Sequence, residues 1–326
     1  MSNALIDRHN RTIDYLRISV TDRCNLRCHY CVPPTPFTHM KHNDILSYEE
    51  LLRVVRVGVS MGIKKVRLTG GEPFVRKGLS DFIGCLGKIP GIEDISVTTN
   101  GTLIADKIET LKKAGLTRIN ISLDSLKPKR FKEITQRDEF HRVDATIKTA
   151  LAAGLAPVKL NTVLLDGVNG DELEDFARLT LEHPIHVRFI EYMPIGEGRK
   201  ASKGELLAPA IIKRLEALGP LTALARHNHD GPARRFKLEG AKGEIGLINP
   251  MSNHFCATCN RLRLSADGNL RPCLLSDTKV SLKEALRNKK GDDVIAALFQ
   301  EAVSIKGERH NLSDHHVHDM MYAIGG

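Results

Sequence analysis

The run Asp14-Tyr15-Leu16-Arg17-Ile18-Ser19-Val20 leads through Thr21-Asp22-Arg23 into Cys24-Asn25-Leu26-Arg27-Cys28-His29-Tyr30-Cys31. A β-like stretch thus opens into a loop with three thiols in eight residues, and such a loop can aim all three sulfurs at one inorganic centre. No fourth cysteine lies near them. A four-iron cubane is usually held by four thiolates, so three protein ligands leave one iron open. An open position marks catalytic rather than structural metal sites. The spacing alone leaves two alternatives standing: a zinc site completed by His29 or a distant residue, and plain reduced thiols.

Outward from this stretch, β-branched runs alternate with helical periodicity. Strands are predicted at 15–20, 65–68, 95–98, 118–123, 158–164 and 187–191, and helices at 47–60, 77–86, 103–114, 144–153, 171–181 and 205–218. Ser47 and Glu50 form a capping box, and Gly62, Gly115 and Gly154 stand at helix stops. Six βα units in succession predict a parallel sheet with helices outside it. Each predicted strand ends in polar residues, among them Arg67, Thr98, Ser122, Lys159 and Met193 with its neighbours. Strand ends that converge on one mouth favour a barrel over an open doubly wound sheet. The fold class read from this is α/β, a partial (β/α)6 TIM-type barrel over residues 1–220. Beyond Gly219 the alternation stops, and β-like pieces at 235–238 and 244–248 predict a smaller C-terminal α+β domain over residues 221–326.

That second region carries Cys256, Cys259 and Cys273. Asp267-Gly268 between alternating segments predicts a two-residue hairpin turn, which would set Ala266 opposite Asn269 and Leu262 opposite Cys273. Zinc with His254 or a tail histidine is one reading of this trio, and a second cluster with an open iron is the other. Arg261 and Arg263 stand two apart and share a strand face. Two guanidiniums side by side suit a polyphosphate.

Lysine and arginine exceed aspartate and glutamate to give a formal charge of +9, which favours an anionic partner. An RNA-binding iron–sulfur or zinc protein fits that charge, but the chain has no tryptophan and no basic run interleaved with aromatics for base stacking. Seven cysteines in two trios with Cys85 apart do not form a disulfide framework, and Cys85 is expected in a helix core. No apolar run reaches the ~18 residues of a membrane span, and the first residues lack a signal peptide, which predicts a cytoplasmic protein without membrane partners. The tract His315-His316-Val317-His318 belongs to no motif placed here.

The C-x3-C-x2-C spacing, with Tyr30 before its last cysteine, resembles that of radical S-adenosylmethionine (SAM) enzymes. Arg67-Leu68-Thr69-Gly70-Gly71-Glu72-Pro73, Thr98-Thr99-Asn100-Gly101, the back cysteine segment and Gly325-Gly326 resemble, more narrowly, the branch that cyclises GTP in molybdenum cofactor biosynthesis. The resemblance implies two [4Fe-4S] clusters, the first on Cys24, Cys28 and Cys31 for SAM, the second on Cys256, Cys259 and Cys273 for the guanine of GTP. It further implies SAM contacts at Tyr30, Gly71, Ser122 and Met193, and GTP contacts at Arg17, Arg67, Thr98, Lys159, Arg261 and Arg263. Of these, Arg17, Arg261 and Arg263 are the expected catalytic residues. The implied reaction turns GTP into 3′,8-cyclo-7,8-dihydro-GTP with 5′-deoxyadenosine and methionine as co-products. It needs an electron donor and a downstream enzyme that takes the product, involves no nucleic acid, and allows a homodimer. The Gly325-Gly326 tail is implied to reach the active site. A radical SAM peptide modifier with an auxiliary cluster domain is the competing enzyme class, although such domains usually carry more C-terminal cysteines.

Overall fold

The computed structural model describes residues 4–33, 38–195, 206–225, 231–310, 317 and 319–325. Six strands, β1 (Tyr15–Ser19), β2 (Lys65–Thr69), β3 (Asp94–Thr99), β4 (Arg118–Ser122), β5 (Val158–Leu164) and β6 (Ile185–Glu191), lie side by side in chain order, and every neighbouring pair is parallel. Later come β7 (Leu221–Ala223), β8 (Arg234–Leu238), β9 (Glu244–Ile248), β10 (Arg261–Leu264), β11 (Asn269–Arg271) and β12 (Val280–Ser281). These join the same sheet at both margins, in the order β12-β11-β10-β1-β2-β3-β4-β5-β6-β9-β8-β7. β9 pairs in parallel with β6, and β10 in parallel with β1.

Between the strands run α1 (Tyr48–Ser60), α2 (Leu79–Gly87), α3 (Ile108–Lys113), α4 (Pro128–Thr135), α5 (Phe140–Ala152), α6 (Leu173–Glu182) and α7 (Ala208–Glu216). Past the last strand come α8 (Lys283–Arg287), α9 (Asp292–Ser304) and α10 (Met321–Ile324). Helices cover the apolar face of the sheet because the strands alternate: Leu16 and Ile18 of β1 and Val66 and Leu68 of β2 join the core that buries Leu51, Val54 and Val55 of α1. The opposite face at Arg17 and Arg67 is only partly shielded. The Ser47–Glu50 box caps α1 with both reciprocal hydrogen bonds, and Gly62, Gly115 and Gly154 take the positive φ that ends helices. No helix among the described residues is long and apolar enough to cross a membrane.

Three local expectations are corrected. The 267–268 turn is a three-residue loop: the Gly268 N–H donates to the Ser265 carbonyl, Gly268 sits at φ +88°, and Arg263 pairs with Arg271, so Pro272 rather than Cys273 falls opposite Leu262. Cys85 is exposed on α2, because Phe82, Ile83 and Leu86 turn that helix's other side inward. The 103–114 segment divides into a 3-10 turn at Ala105–Lys107 and the short α3. Residue 205 of the predicted 205–218 helix lies outside the described residues, as do His315, His316, His318 and Gly326.

Candidate active site

In a parallel sheet, residues in register stand beside one another on one face, and the sequence places cations there. Arg263 of β10, Arg17 of β1 and Arg67 of β2 are direct partners, followed by Ser96 of β3 and Arg118 of β4. A second row runs Ser122, Asn161, Arg188 across β4, β5 and β6. Both rows open on a single cavity of about 320 Å³. Like charges directly opposite one another destabilise a sheet, and burial adds to the effect. Burial pulls Arg17 well below its ordinary range with Arg263 beside it, and burial next to Arg261 lowers Arg263 to about 9. Burial with Arg67 nearby likewise lowers Arg188 to about 9. A row of guanidiniums shielded from most solvent is an arrangement for a polyanion. The buried Thr98 Oγ1 and Asn161 Oδ1 on the same cavity have no hydrogen-bond partner among the described residues.

The front cysteine loop is held from three sides. Gly71 N–H donates to the Thr21 carbonyl and Glu72 N–H to the Arg23 carbonyl, so the segment after β2 lies flat against the loop. A side chain on Gly71 would run into the Arg23 carbonyl, which is why glycine stands there. From the end of β3, Asn100 Nδ2 donates to Asn25 Oδ1 at 2.9 Å and lies 3.9 Å from Cys24 Sγ. From α4, the Thr135 and Ile134 carbonyls accept the N–H groups of Arg27 and His29. The fully buried Glu72 locks these parts together, accepting from Phe74 N, Thr99 Oγ1 and Asn100 N; burial raises its carboxyl to about 7. Tyr30 donates to Asp124 Oδ2 at 2.7 Å, and Asp124 Oδ1 accepts from Val163 N, tying the loop to β5. Burial raises Asp124 to about 6.

The back trio lines the same cavity with Arg261, whose Nη2 lies 3.7 Å from Cys259 Sγ. The thiols differ electrostatically, although burial raises Cys256 of the back trio as it raises the front ones. Burial lifts Cys24 to about 11, and burial with Asp124 nearby lifts Cys28. At Cys259 burial also pushes upward, but Arg261 and Lys306 outweigh it and bring the thiol to about 6. Among the described residues no three Cys, His, Asp or Glu side chains converge on a single-ion position. A cubane takes each thiolate on a different iron and does not require that convergence. Three thiols on one wall, with open cavity in front of them, fit a cluster that keeps one iron for a substrate.

The structure brings almost every expected residue to this cavity: all six trio cysteines, Arg17, Arg67, Thr98, Arg261 and Arg263, and Tyr30, Gly71, Ser122 and Met193. Lys159 is outside it. It lines a smaller neighbouring pocket with His186, Arg235 and Glu244, and the two pockets share Arg118 and Arg188. Arg118, Arg188, Asp124 and Asn161 are cavity residues that the motifs did not pick out, although each stands in or just after a strand whose polar end was noted. The tail enters as well: Met321 and Tyr322 line the cavity, and Arg263 Nη1 donates to the Gly325 carbonyl at 2.8 Å.

Comparison with known proteins agrees with this geometry. The Radical SAM superfamily profile matches residues 18–180, and the profile described as Molybdenum Cofactor Synthesis C matches residues 185–312. The GTP 3′,8-cyclase of Petrotoga mobilis is 47% identical, over 99% of this chain and 100% of the relative. That of Moorella thermoacetica is 48% identical, over 94% and 95%. Among solved structures, Streptococcus suis SuiB bound to S-adenosylmethionine superposes with a TM-score of 0.60 at 17% identity, over 90% of this chain and 69% of SuiB, a likeness of fold. With near-complete coverage at almost half identity and the superfamily profile over residues 18–180, the chain belongs to the GTP 3′,8-cyclase family of radical SAM enzymes.

Proposed function

We propose that this chain is a lyase of molybdenum cofactor biosynthesis that closes GTP between C3′ and C8 to 3′,8-cyclo-7,8-dihydroguanosine 5′-triphosphate. The observation that carries this is the shared cavity, lined by both cysteine trios and by an in-register row of arginines. Cys24, Cys28 and Cys31 would hold the SAM cluster, and Cys256, Cys259 and Cys273 the second. When loaded and reduced, the first cluster with SAM supplies the hydrogen-abstracting 5′-deoxyadenosyl group and leaves methionine.

The chain's own part is binding, orientation and exclusion of water. Tyr30, Gly71, Ser122 and Met193 line the cavity and would seat SAM. Arg17, Arg67, Arg261 and Arg263 would neutralise the triphosphate, with Lys159 behind them, and Thr98 offers its unpaired hydroxyl to the nucleoside. Arg17, Arg261 and Arg263, which lie on the adjoining strands β1 and β10, would serve catalysis by fixing GTP against the second cluster. In this reading the parallel strands curve as a partial six-unit barrel over residues 1–220, and residues 221–326 form the cluster- and GTP-binding unit. An electron donor, a downstream enzyme for the product, a homodimer and a cytoplasmic setting belong to the same proposal.

Anaerobic incubation with SAM, dithionite and GTP tests it. The expected result is 5′-deoxyadenosine formed together with a cyclised GTP product. Absence of both from protein shown to carry its iron would overturn the assignment.

A further inference from the structure

Lys306 follows α9, belongs to no cysteine motif, and is only 4% exposed. Its Nζ donates to the Arg261 carbonyl at 3.0 Å and to the Pro272 carbonyl, and among the described residues its hydrogen bonds go to these two oxygens alone. Arg261 lies two residues after Cys259, and Pro272 directly precedes Cys273. One ammonium therefore pins together the two chain segments that bring Cys259 and Cys273 to the cavity. The residues just after it are fixed in turn by Arg11, which donates to the Gly307 and Glu308 carbonyls and, from the same Nη1 as the latter bond, to the carbonyl of Cys256. All three cysteines of the back trio are thus tied to one short segment by two buried cations.

A neutral donor could make the same two hydrogen bonds at less cost, since a buried ammonium needs a compensating anion. No carboxylate hydrogen-bonds to Lys306 among the described residues, and the two carbonyls that it holds belong to residues next to Cys273 and two from Cys259, so its charge is buried beside the trio. The front trio has a carboxylate at hand instead: Asp124 accepts from the hydroxyl of Tyr30, which stands between Cys28 and Cys31. Charge beside a cluster and hydrogen bonds around it set its reduction potential. A cation stabilises the more negative, reduced cluster.

We propose that Lys306 is the positioning residue of the second cysteine trio, fixing Cys259 against Cys273 through their backbone and raising the reduction potential of the cluster they hold. The inference rests on the two-cluster reading given above. The electron step is simple: dithionite delivers one electron to an oxidised [4Fe-4S]2+ cluster to give [4Fe-4S]+, with no bond made or broken.

The test is a dithionite titration followed by electron paramagnetic resonance, with iron and sulfide analysis, on anaerobically loaded protein. Wild type, Lys306→Met and Lys306→Arg are compared, each also with the front trio changed to alanine so that the back cluster is seen alone. Lys306→Met is expected to move the back midpoint to a more negative potential and leave the front midpoint in place, while Lys306→Arg keeps the wild-type value. Should Lys306→Met lose the back cluster, a halving of bound iron with the front signal intact, restored in Lys306→Arg, supports the same role. An unchanged back midpoint in Lys306→Met, or an equal shift of both clusters, overturns it. Wild-type protein that loads iron only on the front trio overturns instead the two-cluster reading, before any Lys306 variant is compared.

Discussion

Arg17 stands directly opposite Arg263 in the parallel pairing of β1 with β10. A sheet that only had to fold would not set a half-buried guanidinium beside a buried one in this way, because neither can be neutralised within the pair. A bound polyanion would offset the repulsion between the two. Arg17→Met keeps the side-chain volume and removes one charge. Its unliganded form is expected to melt higher, by about 1 kcal/mol of stability, while GTP binds roughly 10- to 150-fold more weakly through the loss of a charge-assisted contact of about 1.5–3 kcal/mol. Calorimetry with and without GTP reads both; a lower melting point with unchanged affinity would show Arg17 to be structural.

Lys159 gives the pocket a pH dependence. Burial first, then Arg188, Arg118 and Arg67, lower its ammonium from 10.5 to about 6. Between those values the unfolded chain binds a proton that the folded chain does not, so this residue makes the fold more stable as pH rises through the window and less stable as it falls. A triphosphate nearby reverses the preference and draws the proton in. GTP binding at about pH 8 should then be accompanied by proton uptake, and affinity should weaken as pH rises from about 6. Titration calorimetry in buffers of different ionisation heat measures the uptake, which should vanish in Lys159→Met.

Gly71→Ala probes the contact between the two motifs of the front half. The added methyl meets the Arg23 carbonyl, which cannot retreat because it already accepts the Glu72 N–H. The segments must separate, at a cost of about 1–3 kcal/mol. The expected outcome is a protein that folds, with SAM binding by equilibrium dialysis strongly reduced and GTP binding near normal. Loss of both ligands together would mean that the cavity depends on Gly71 as a whole.

At the tail, Arg271 is 1% exposed and pairs with Asp319 and Asp277. Asp319→Asn leaves the guanidinium with one carboxylate and loosens the segment that carries Met321, Tyr322 and Gly325 to the cavity. The half-exposed partner limits the cost to about 1–2 kcal/mol. Hydrogen exchange should accelerate across residues 319–325 and stay unchanged in β1–β6. Uniform acceleration would indicate global destabilisation instead.

The front half was legible because its signals are local. The edges of β1 to β6 follow the β-branched runs within a few residues, and the Ser47 cap and the helix-ending glycines act over single turns. α4 escaped notice because it opens on Pro128-Lys129-Arg130, which reads as a polar loop, although Phe131 and Ile134 are its buried anchors. Motifs identified the cysteines and most of the arginines. Arg118 and Arg188 needed the register, since only cross-strand alignment shows that they face the same cavity as Arg17. Lys159 is one alternation below Asn161 on β5, and that step takes it out of the main cavity into the pocket beneath.

The pairing of β1 with β10 also sets a timetable for the nascent chain. Tyr15 leaves the ribosome early, yet its partner Arg261 is made only after most of the chain has been synthesised. At ordinary elongation rates that interval is on the order of ten seconds or more. Throughout it, one margin of the growing sheet offers unpaired backbone beside a row of arginines. Repulsion between neighbouring copies of that row would discourage two nascent chains from zipping together along the unfinished edge.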